Sequence, residues 1–160
     1  KGIFKESEKF NPYNKTTRYQ FSLMLYRALD LEVPAATAFK DIVKLDAEAQ
    51  SAIKALNKLG VINGVNKETF APYNNITRAQ TAKMVYRLLE SKGYQDKANA
   101  TMPFSDVTAT DAELNKAAAQ LNALGIMTGS NGKLNPNAPL TRDQMSKVLN
   151  NALQALEGLK

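Results

Sequence analysis

The sequence repeats itself, and this constrains the fold more than any other feature. A segment containing Thr-Arg-x-Gln occurs three times, with its arginines at Arg18, Arg78 and Arg142. A second block, Phe-x-Asp followed by an alanine-rich stretch and Leu-Gly-(Val/Ile), occurs twice, at 39–61 and 104–126. Repeats of this length are typical of small supersecondary units that bury a core only by packing against each other.

The order of the two blocks defines the repeat boundaries. Repeat two spans 39–93 and repeat three spans 104–158, whereas residues 1–33 contain only the second half of repeat one. The linkers, 32–38 and 93–103, are too short to separate the units widely. We therefore expect the repeats to form one compact module.

Hydrophobic spacing predicts two helices in each complete repeat and no convincing strand. Ala49, Ile53 and Leu56 follow helical spacing in the first helix of repeat two, and Gly60 and Gly125 stand where a first helix would end with positive φ. The chain is therefore predicted to be all-α. The apolar stripes of the second helices are expected in the core: Phe21, Met24, Leu25 and Leu29; Met84, Val85, Leu88 and Leu89; and Met145, Val148, Leu149 and Leu153.

Thr-Arg-x-Gln is the pattern of a helix capping box. The Thr hydroxyl accepts a hydrogen bond from the third helical N–H, and the Gln side chain bonds back to the N–H of the cap. Each second helix should therefore begin directly after its Thr. The predicted cap pairs are Thr17 with Gln20, Thr77 with Gln80, and Thr141 with Gln144.

Capping does not explain the arginines. Arg18, Arg78 and Arg142 fall at the first helical position, where a positive charge is unfavourable by about 0.3–1 kcal/mol. One compensating partner is a carboxylate of a neighbouring repeat, such as Asp41 or Asp106. The other is an anionic ligand, since a helix N-terminus beside an arginine suits a carboxylate or phosphate. The two aspartates themselves either cap the first helix or a turn before it, which we favour, or bind sugar hydroxyls.

Composition excludes several kinds of site. There is no Cys and no His, which excludes disulfides, thiolate metal sites and His-dependent catalytic units. No apolar run approaches the length of a membrane span, and the first residues lack a signal-peptide core, as expected of a cytoplasmic protein or a processed piece. The net charge of +6 lies in the first 100 residues and indicates an anionic partner or extra surface lysines.

The repeat unit resembles the S-layer homology domain, a wall-anchoring repeat of bacterial surface proteins. The likeness covers nearly the whole chain, and the order and spacing of the motifs carry it. In repeat two the matching residues are Phe39-x-Asp41, Leu59-Gly60-Val61-x-x-Gly64, Phe70-x-Pro72 and Ile76-Thr77-Arg78-Ala79-Gln80. In repeat three they are Phe104-x-Asp106, Gly125-Ile126-x-x-Gly129, Leu134-x-Pro136 and Leu140-Thr141-Arg142-Asp143-Gln144.

The resemblance implies an arrangement and a function. Three such repeats pack around a pseudo-threefold axis with one helix each in a central bundle, and the grooves between repeats bind secondary cell wall polymer. The motif arginine meets the carboxylate of a pyruvylated sugar. The module is extracellular, at the cell wall or S-layer, and has no catalytic residues, metal or cofactor. The implied ligand-binding residues are Arg18, Arg78, Arg142, Asp41, Asp106, Gly60 and Gly125.

This chain departs from the family pattern. The family's Glu after the motif arginine is Gln in all three copies, and Glu48 and Glu113 stand where the family often has an aromatic. Asp143 follows Arg142 and is expected to weaken that site. Repeat one lacks its first helix, so its second helix, predicted at 17–31, should expose an apolar face from Phe21 to Leu29. Upstream residues, a domain swap or an oligomer would then cover that face.

Three functions compete at this stage. The first is a non-catalytic module that anchors a protein to an anionic wall polysaccharide. The alternative is a structural self-assembly module whose arginines form ion pairs between repeats. A helical nucleic-acid binder is favoured by charge alone and would show steep salt dependence. An enzyme is disfavoured, because no repeat places two carboxylates as an acid and nucleophile pair.

Overall fold

The computed structural model describes residues 11–160, and five α-helices form the described part of the chain. Isolated bridges occur in it, but no strand. No described helix has the length and apolar character needed to cross a bilayer. The all-α prediction is confirmed. The helices are α1 (Arg18–Ala28), α2 (Ala47–Lys58), α3 (Arg78–Ser91), α4 (Ala112–Ala123) and α5 (Arg142–Glu157).

The three predicted capping boxes are present. Thr17, Thr77 and Thr141 each accept the N–H of a Gln three residues on, and each Gln side chain accepts the N–H of its Thr. Helices α2 and α4 begin after Asp46 and Asp111, whose carboxylates accept the N–H of the third helical residue. The sequence analysis did not identify these two caps.

A closed ring of backbone hydrogen bonds connects the turns that precede α1, α3 and α5. Thr16 N–H donates to Leu140 O at 2.8 Å, Leu140 N–H donates to Ile76 O at 3.0 Å, and Ile76 N–H donates to Thr16 O at 2.8 Å. All three residues are fully buried. The ring joins the first and third repeats directly. The arrangement of the helices around a pseudo-threefold central bundle remains a prediction.

Each first helix packs against the second helix of the preceding repeat: α2 lies on α1, and α4 lies on α3. The alanine-rich faces of α2 and α4 allow this close approach. As a result Phe21 and Leu25 are fully buried and Met24 is nearly so. The expected exposed face on the helix of repeat one is wrong, because α2 returns across the linker and covers it. That helix also ends at Ala28, not at residue 31.

One hydrophobic cluster extends through all three repeats. It includes Ile53 and Leu56 of α2, Leu88 of α3, Leu121 of α4 and Leu149 of α5, each 2% exposed or less. The predicted stripes therefore lie in the core, except that Leu29 and Leu153 are only partly buried against it. Because the core is shared, the grooves between repeats have rigid walls on both sides.

Candidate functional site

Arg18 begins α1 and points into the loop of repeat two. Its Nε donates to the Phe70 carbonyl at 2.9 Å and its Nη2 to the Asn63 carbonyl at 3.1 Å. The guanidinium carbon lies 4.7 Å from the centroid of the Phe70 ring, within cation–π range. Arg18 is only 7% exposed. Burial lowers its pKa, and the nearby Asp41 carboxylate opposes that shift.

Arg78 begins α3 and occupies the equivalent place against repeat three. Its Nε donates to the Leu134 carbonyl at 2.6 Å. Within residues 11–160 this is the single hydrogen bond of its side chain, so its terminal nitrogens remain available to a ligand. Burial lowers the pKa of Arg78 as well, and Asp106 opposes the shift. The arginine partners are thus carbonyl oxygens of the next repeat, with an aspartate close enough to act through its charge.

The two aspartates hold the carbonyls in place. Asp41 accepts the backbone N–H groups of Phe70 and Ala71 at 2.9 and 2.8 Å, and Asp106 accepts those of Leu134 and Asn135 at 2.9 and 2.8 Å. Burial alone would raise the pKa of Asp106, but these N–H bonds and nearby Lys133 hold it below its ordinary value. Both aspartates thus fix a turn about 30 residues further along the chain, whereas the alternative favoured above placed them as caps of the first helix or of a turn before it.

Arg78 lines the largest of the three clefts that contain a motif arginine. This Arg78 cleft has a volume of about 430 Å³. Its walls are the loop after α4 and one face of α5, and its polar lining is exposed to solvent at Ser130, Asn135 and Lys147. Gly125 also lines it, as the sequence predicted. The cleft therefore offers a guanidinium, an ammonium and several neutral hydrogen-bonding groups to one ligand.

The Arg18 cleft is the equivalent space between repeats one and two. It has a volume of about 200 Å³ and is lined by Arg18, Gly64, Lys83 and Arg87, among others. Gly60 is not among its lining residues. Lys83 pairs with Asp111 at 2.7 Å, and Arg87 binds Glu113 in a bidentate pair. Lys83 and Arg87, unlike Arg18, are therefore held by carboxylates of the following repeat.

Arg142 lines a third cleft, between repeats three and one. This Arg142 cleft has a volume of about 270 Å³ and includes Tyr19, Arg27 and Asp46. Asp143, expected to weaken the site at Arg142, pairs with Lys147 at 3.2 Å one turn along α5.

Comparison with known proteins now decides the family. The family model of the S-layer homology domain matches residues 38–82 and 103–146, more than half of the chain. The chain belongs to the S-layer homology domain family. Membership places this module at the bacterial cell surface, in association with the cell wall.

Three relatives show the setting in which such domains occur. The chain is 32% identical to the Surface-layer 125 kDa protein of Lysinibacillus sphaericus over 92% of its own length and 12% of that protein. It is 31% identical to an Endoglucanase of Bacillus sp. (strain KSM-635), over 90% of its length and 15% of the enzyme. It is 28% identical to S-layer protein EA1 of Bacillus anthracis, over 88% and 16%. The chain thus spans less than a fifth of each of these relatives.

Two glycines of the S-layer homology domain end first helices with left-handed backbone. Gly60 has φ of 82° and Gly125 has φ of 73°, which confirms the predicted helix ends. Gly64 and Gly129 serve a different purpose, because a Cβ at either position would overlap a backbone carbonyl and the ring of Phe39 or Phe104. These glycines let the loop pass close enough to form the cleft wall.

The glutamates that replace the family's aromatic have partners. Glu48 pairs with Arg27 at 2.9 Å, and Glu113 pairs with Arg87. Each pair fastens a first helix to the preceding second helix. Sequence reasoning missed these arginines and also Lys83 and Lys147. The signal was present, because both lysines stand three residues after the capping Gln.

Proposed function

We propose that this chain anchors its parent protein to the bacterial cell wall by binding an acidic wall polysaccharide in the clefts between repeats. In this proposal a pyruvyl carboxylate of the polymer meets the guanidinium of a motif arginine. Family membership supports the anchoring role, and the Arg78 cleft supports the anionic ligand. The observation that carries the proposal is Arg78 itself, a half-buried cation with a single backbone partner inside a polar cleft.

The Arg78 cleft is the favoured site among the three. A carboxylate there can accept from the terminal nitrogens of Arg78 while sugar hydroxyls reach Ser130, Asn135 and Lys147. In the Arg78 cleft, Asn151 occupies the position that Arg87 has in the Arg18 cleft. The Asn151 amide donates to the Gly125 carbonyl at 3.3 Å. The positive charges of the Arg78 cleft are therefore those of Arg78 and Lys147, of which Lys147 also pairs with Asp143, and Asp106 is engaged with the turn.

No covalent chemistry is needed for this role. In the endoglucanase relative the matching region is a small part of the enzyme. We therefore assign any catalytic activity of a parent protein to other domains. The activity, substrates and partners of the whole protein stay outside this proposal.

The direct test is calorimetric titration with wall polysaccharide purified from Lysinibacillus sphaericus and checked by NMR to carry pyruvyl groups, compared with the same polymer after mild acid removal of pyruvate. We expect the native polymer to bind at least tenfold more tightly, because a charge-assisted hydrogen bond contributes about 1.5–3 kcal/mol. The stoichiometry counts working clefts. Equal affinity for both polymers would contradict the role of the carboxylate.

The matched variants are Arg78→Ala and Lys92→Ala. Both remove one positive charge, but Lys92 is exposed at the end of α3 and outside the three clefts. Arg78→Ala should abolish the preference for the pyruvylated polymer, whereas Lys92→Ala should keep it. If both variants lost the preference, the total charge of the chain, and not the position of Arg78, would explain the loss.

A structural self-assembly module is the second candidate, favoured by Arg18. Arg18 joins repeat one to repeat two through carbonyl oxygens, which resembles the proposed inter-repeat role although the partner is not a carboxylate. If this were the whole function, neither polymer would bind. Sedimentation would then show association of the module without glycan.

A further inference from the structure

An exposed tyrosine lies beside the N-terminus of α1, in a turn whose backbone is hydrogen-bonded to that helix. Tyr73 belongs to the turn before α3 and is 58% exposed. The carbonyls on either side of it, those of Pro72 and Asn74, accept the N–H groups of Tyr19 and Arg18 at 3.0 and 2.8 Å. Docking of α1 onto this turn therefore fixes the backbone around Tyr73, and more than half of the residue is left accessible.

A second ring stands beside it. Tyr19, the second residue of α1, lies with its ring centroid 5.8 Å from that of Tyr73, and the ring planes meet at 70°. This is a favourable edge-to-face pair. Tyr19 also lines the Arg142 cleft with Gln20 and Met24. The pair therefore extends from the turn surface to the mouth of that cleft.

The pair occurs once among the three helix N-termini. The positions equivalent to Tyr19 are Ala79 in α3 and Asp143 in α5. The turn docked onto α5 presents Tyr13, which is 86% exposed, and the turn docked onto α3 presents Asn137. Tyr13 is thus a natural single-ring control for the two-ring arrangement.

We propose that exposed Tyr73, supported edge-to-face by Tyr19, forms a stacking platform for an uncharged pyranose ring. The proposal rests on the proposed function, which supplies a polysaccharide ligand. The C–H face of a pyranose is apolar and packs against an aromatic face, while its hydroxyls stay in water or bond to nearby polar groups. The chain has no Trp, so tyrosine is its largest aromatic side chain.

The platform is separate from the favoured carboxylate site, although Tyr19 also lines the Arg142 cleft. Tyr73 and Tyr19 are absent from the lining of the Arg78 cleft. In this proposal one polymer occupies both places, so that the acidic sugar is bound at Arg78 and a neutral sugar at the platform. Two linked contacts of this kind raise the overall affinity without any added charge.

The size of the pair favours a sugar over a protein partner. A stable protein interface buries about 800 Å² on each side, far more than two neighbouring rings provide. A single pyranose ring matches a surface of one or two aromatic side chains. Association of the module with a second copy through these rings is the competing outcome of the test.

The test compares Tyr73→Ala, Tyr73→Phe and Tyr13→Ala with the unaltered chain, using calorimetry on the native and pyruvate-free Lysinibacillus sphaericus polymers. We expect Tyr73→Ala to weaken binding to both polymers by about threefold to tenfold, the range for one aromatic contact. Tyr73→Phe, which keeps the ring, should retain affinity, and Tyr13→Ala should match the unaltered chain. Circular dichroism checks that each variant is folded.

Unchanged affinity in Tyr73→Ala, with a clear effect of Arg78→Ala, would overturn the platform and leave the proposed function intact. Absence of binding by the unaltered chain would overturn both. Equal losses in Tyr73→Ala and Tyr13→Ala would assign the effect to general surface contact. Concentration-dependent association that disappears in Tyr73→Ala, without a change in glycan affinity, would assign the rings to a second copy.

Discussion

The Arg18 cleft and the Arg78 cleft have the same plan and differ in how much of the arginine is used internally. In both, the arginine at the first helical position reaches a carbonyl that an aspartate has fixed. Arg18 has a second carbonyl, from Asn63, and an aromatic ring beneath it. Within residues 11–160 Arg78 has neither, and the ring is missing because Leu134 stands where the first cleft has Phe70.

This difference shows how one motif serves both folding and recognition. A guanidinium has five N–H donors in a fixed planar arrangement. When the next repeat supplies two acceptors and a ring, the arginine links the two repeats and stabilises the fold. When it supplies one acceptor, the remaining donors face the cleft. The capping motif is the same in both cases, so the neighbouring loop decides the role.

Replacement of each arginine by alanine should give the largest difference in stability between a residue used for folding and one used for recognition. We expect Arg18→Ala to lower the free energy of unfolding by about 3 kcal/mol, because it leaves the carbonyls of Phe70 and Asn63 without donors and opens a cavity. Arg78→Ala should cost about 1 kcal/mol, since one hydrogen bond is lost from a half-exposed position. Urea unfolding at pH 7 measures both.

The two variants act as controls for each other, because each removes the same atoms at the same helical position. Equal losses of stability would contradict this difference between the clefts and show that the contacts of Arg18 with Phe70 and Asn63 add nothing to the free energy of unfolding. A larger loss for Arg78→Ala would reverse the assignment and make Arg78 the structural residue.

The next largest effect is expected at Asp106, which fixes the carbonyl that Arg78 contacts. Asp106→Asn removes the charge and one acceptor, so the loss should be about 1–2 kcal/mol at pH 7. The pKa of Asp106 is held below 3.8 in the folded chain, so its stabilising contribution is complete above that pH and is lost as the pH falls through the folded-state pKa.

The pH dependence gives this prediction its own check. Urea unfolding between about pH 5 and pH 2 should show a smaller decline of stability in Asp106→Asn than in the unaltered chain. Parallel declines in the two proteins would contradict the role of the ionised carboxylate. In Asp106→Asn, binding of the pyruvylated polymer should weaken only to the extent that the turn at Leu134 and Asn135 moves.

Local features of this fold were predictable from the sequence, and contacts between repeats were not. The capping boxes and the positive φ of Gly60 and Gly125 depend on residues within one helical turn, and the pattern determines them. The partner of Arg18 is a carbonyl oxygen. Every residue carries one, so no side-chain pattern distinguishes the carbonyl of Asn63 from any other.

The packing of α1 shows the same limit. An incomplete first repeat predicted that Phe21 would lie on an exposed face. That inference assumed that the two helices of one repeat cover each other, whereas α2 packs on the helix of the repeat before it. Amphipathic spacing shows that a face must be buried, but it does not show which helix buries it.

A moderate effect is expected at the centre of the ring of turns, where the first repeat differs from the other two. Thr16 is fully buried and its hydroxyl has no hydrogen-bond partner within residues 11–160, whereas the equivalent residues are Ile76 and Leu140. Thr16→Val keeps the shape and removes the unpaired hydroxyl, so it should stabilise the chain by about 1 kcal/mol. Thermal unfolding measures the gain, and Thr16→Ser, which keeps the hydroxyl, should give none.

The smallest change in stability is expected in the turns beside Arg18 and Arg78. Ala71 and Asn135 are equivalent and have φ of 59° and 56°, but alanine in left-handed backbone is disfavoured, whereas asparagine tolerates it. Ala71→Asn should therefore stabilise the chain by about 0.5 kcal/mol, and Asn135→Ala should destabilise it by a similar amount. Urea unfolding of the pair measures both changes. Opposite shifts of equal size would show that the two turns share one backbone geometry, so that side chains alone distinguish the clefts. A loss in Ala71→Asn would mean that the turn beside Arg18 is already constrained by the closer packing around Phe70.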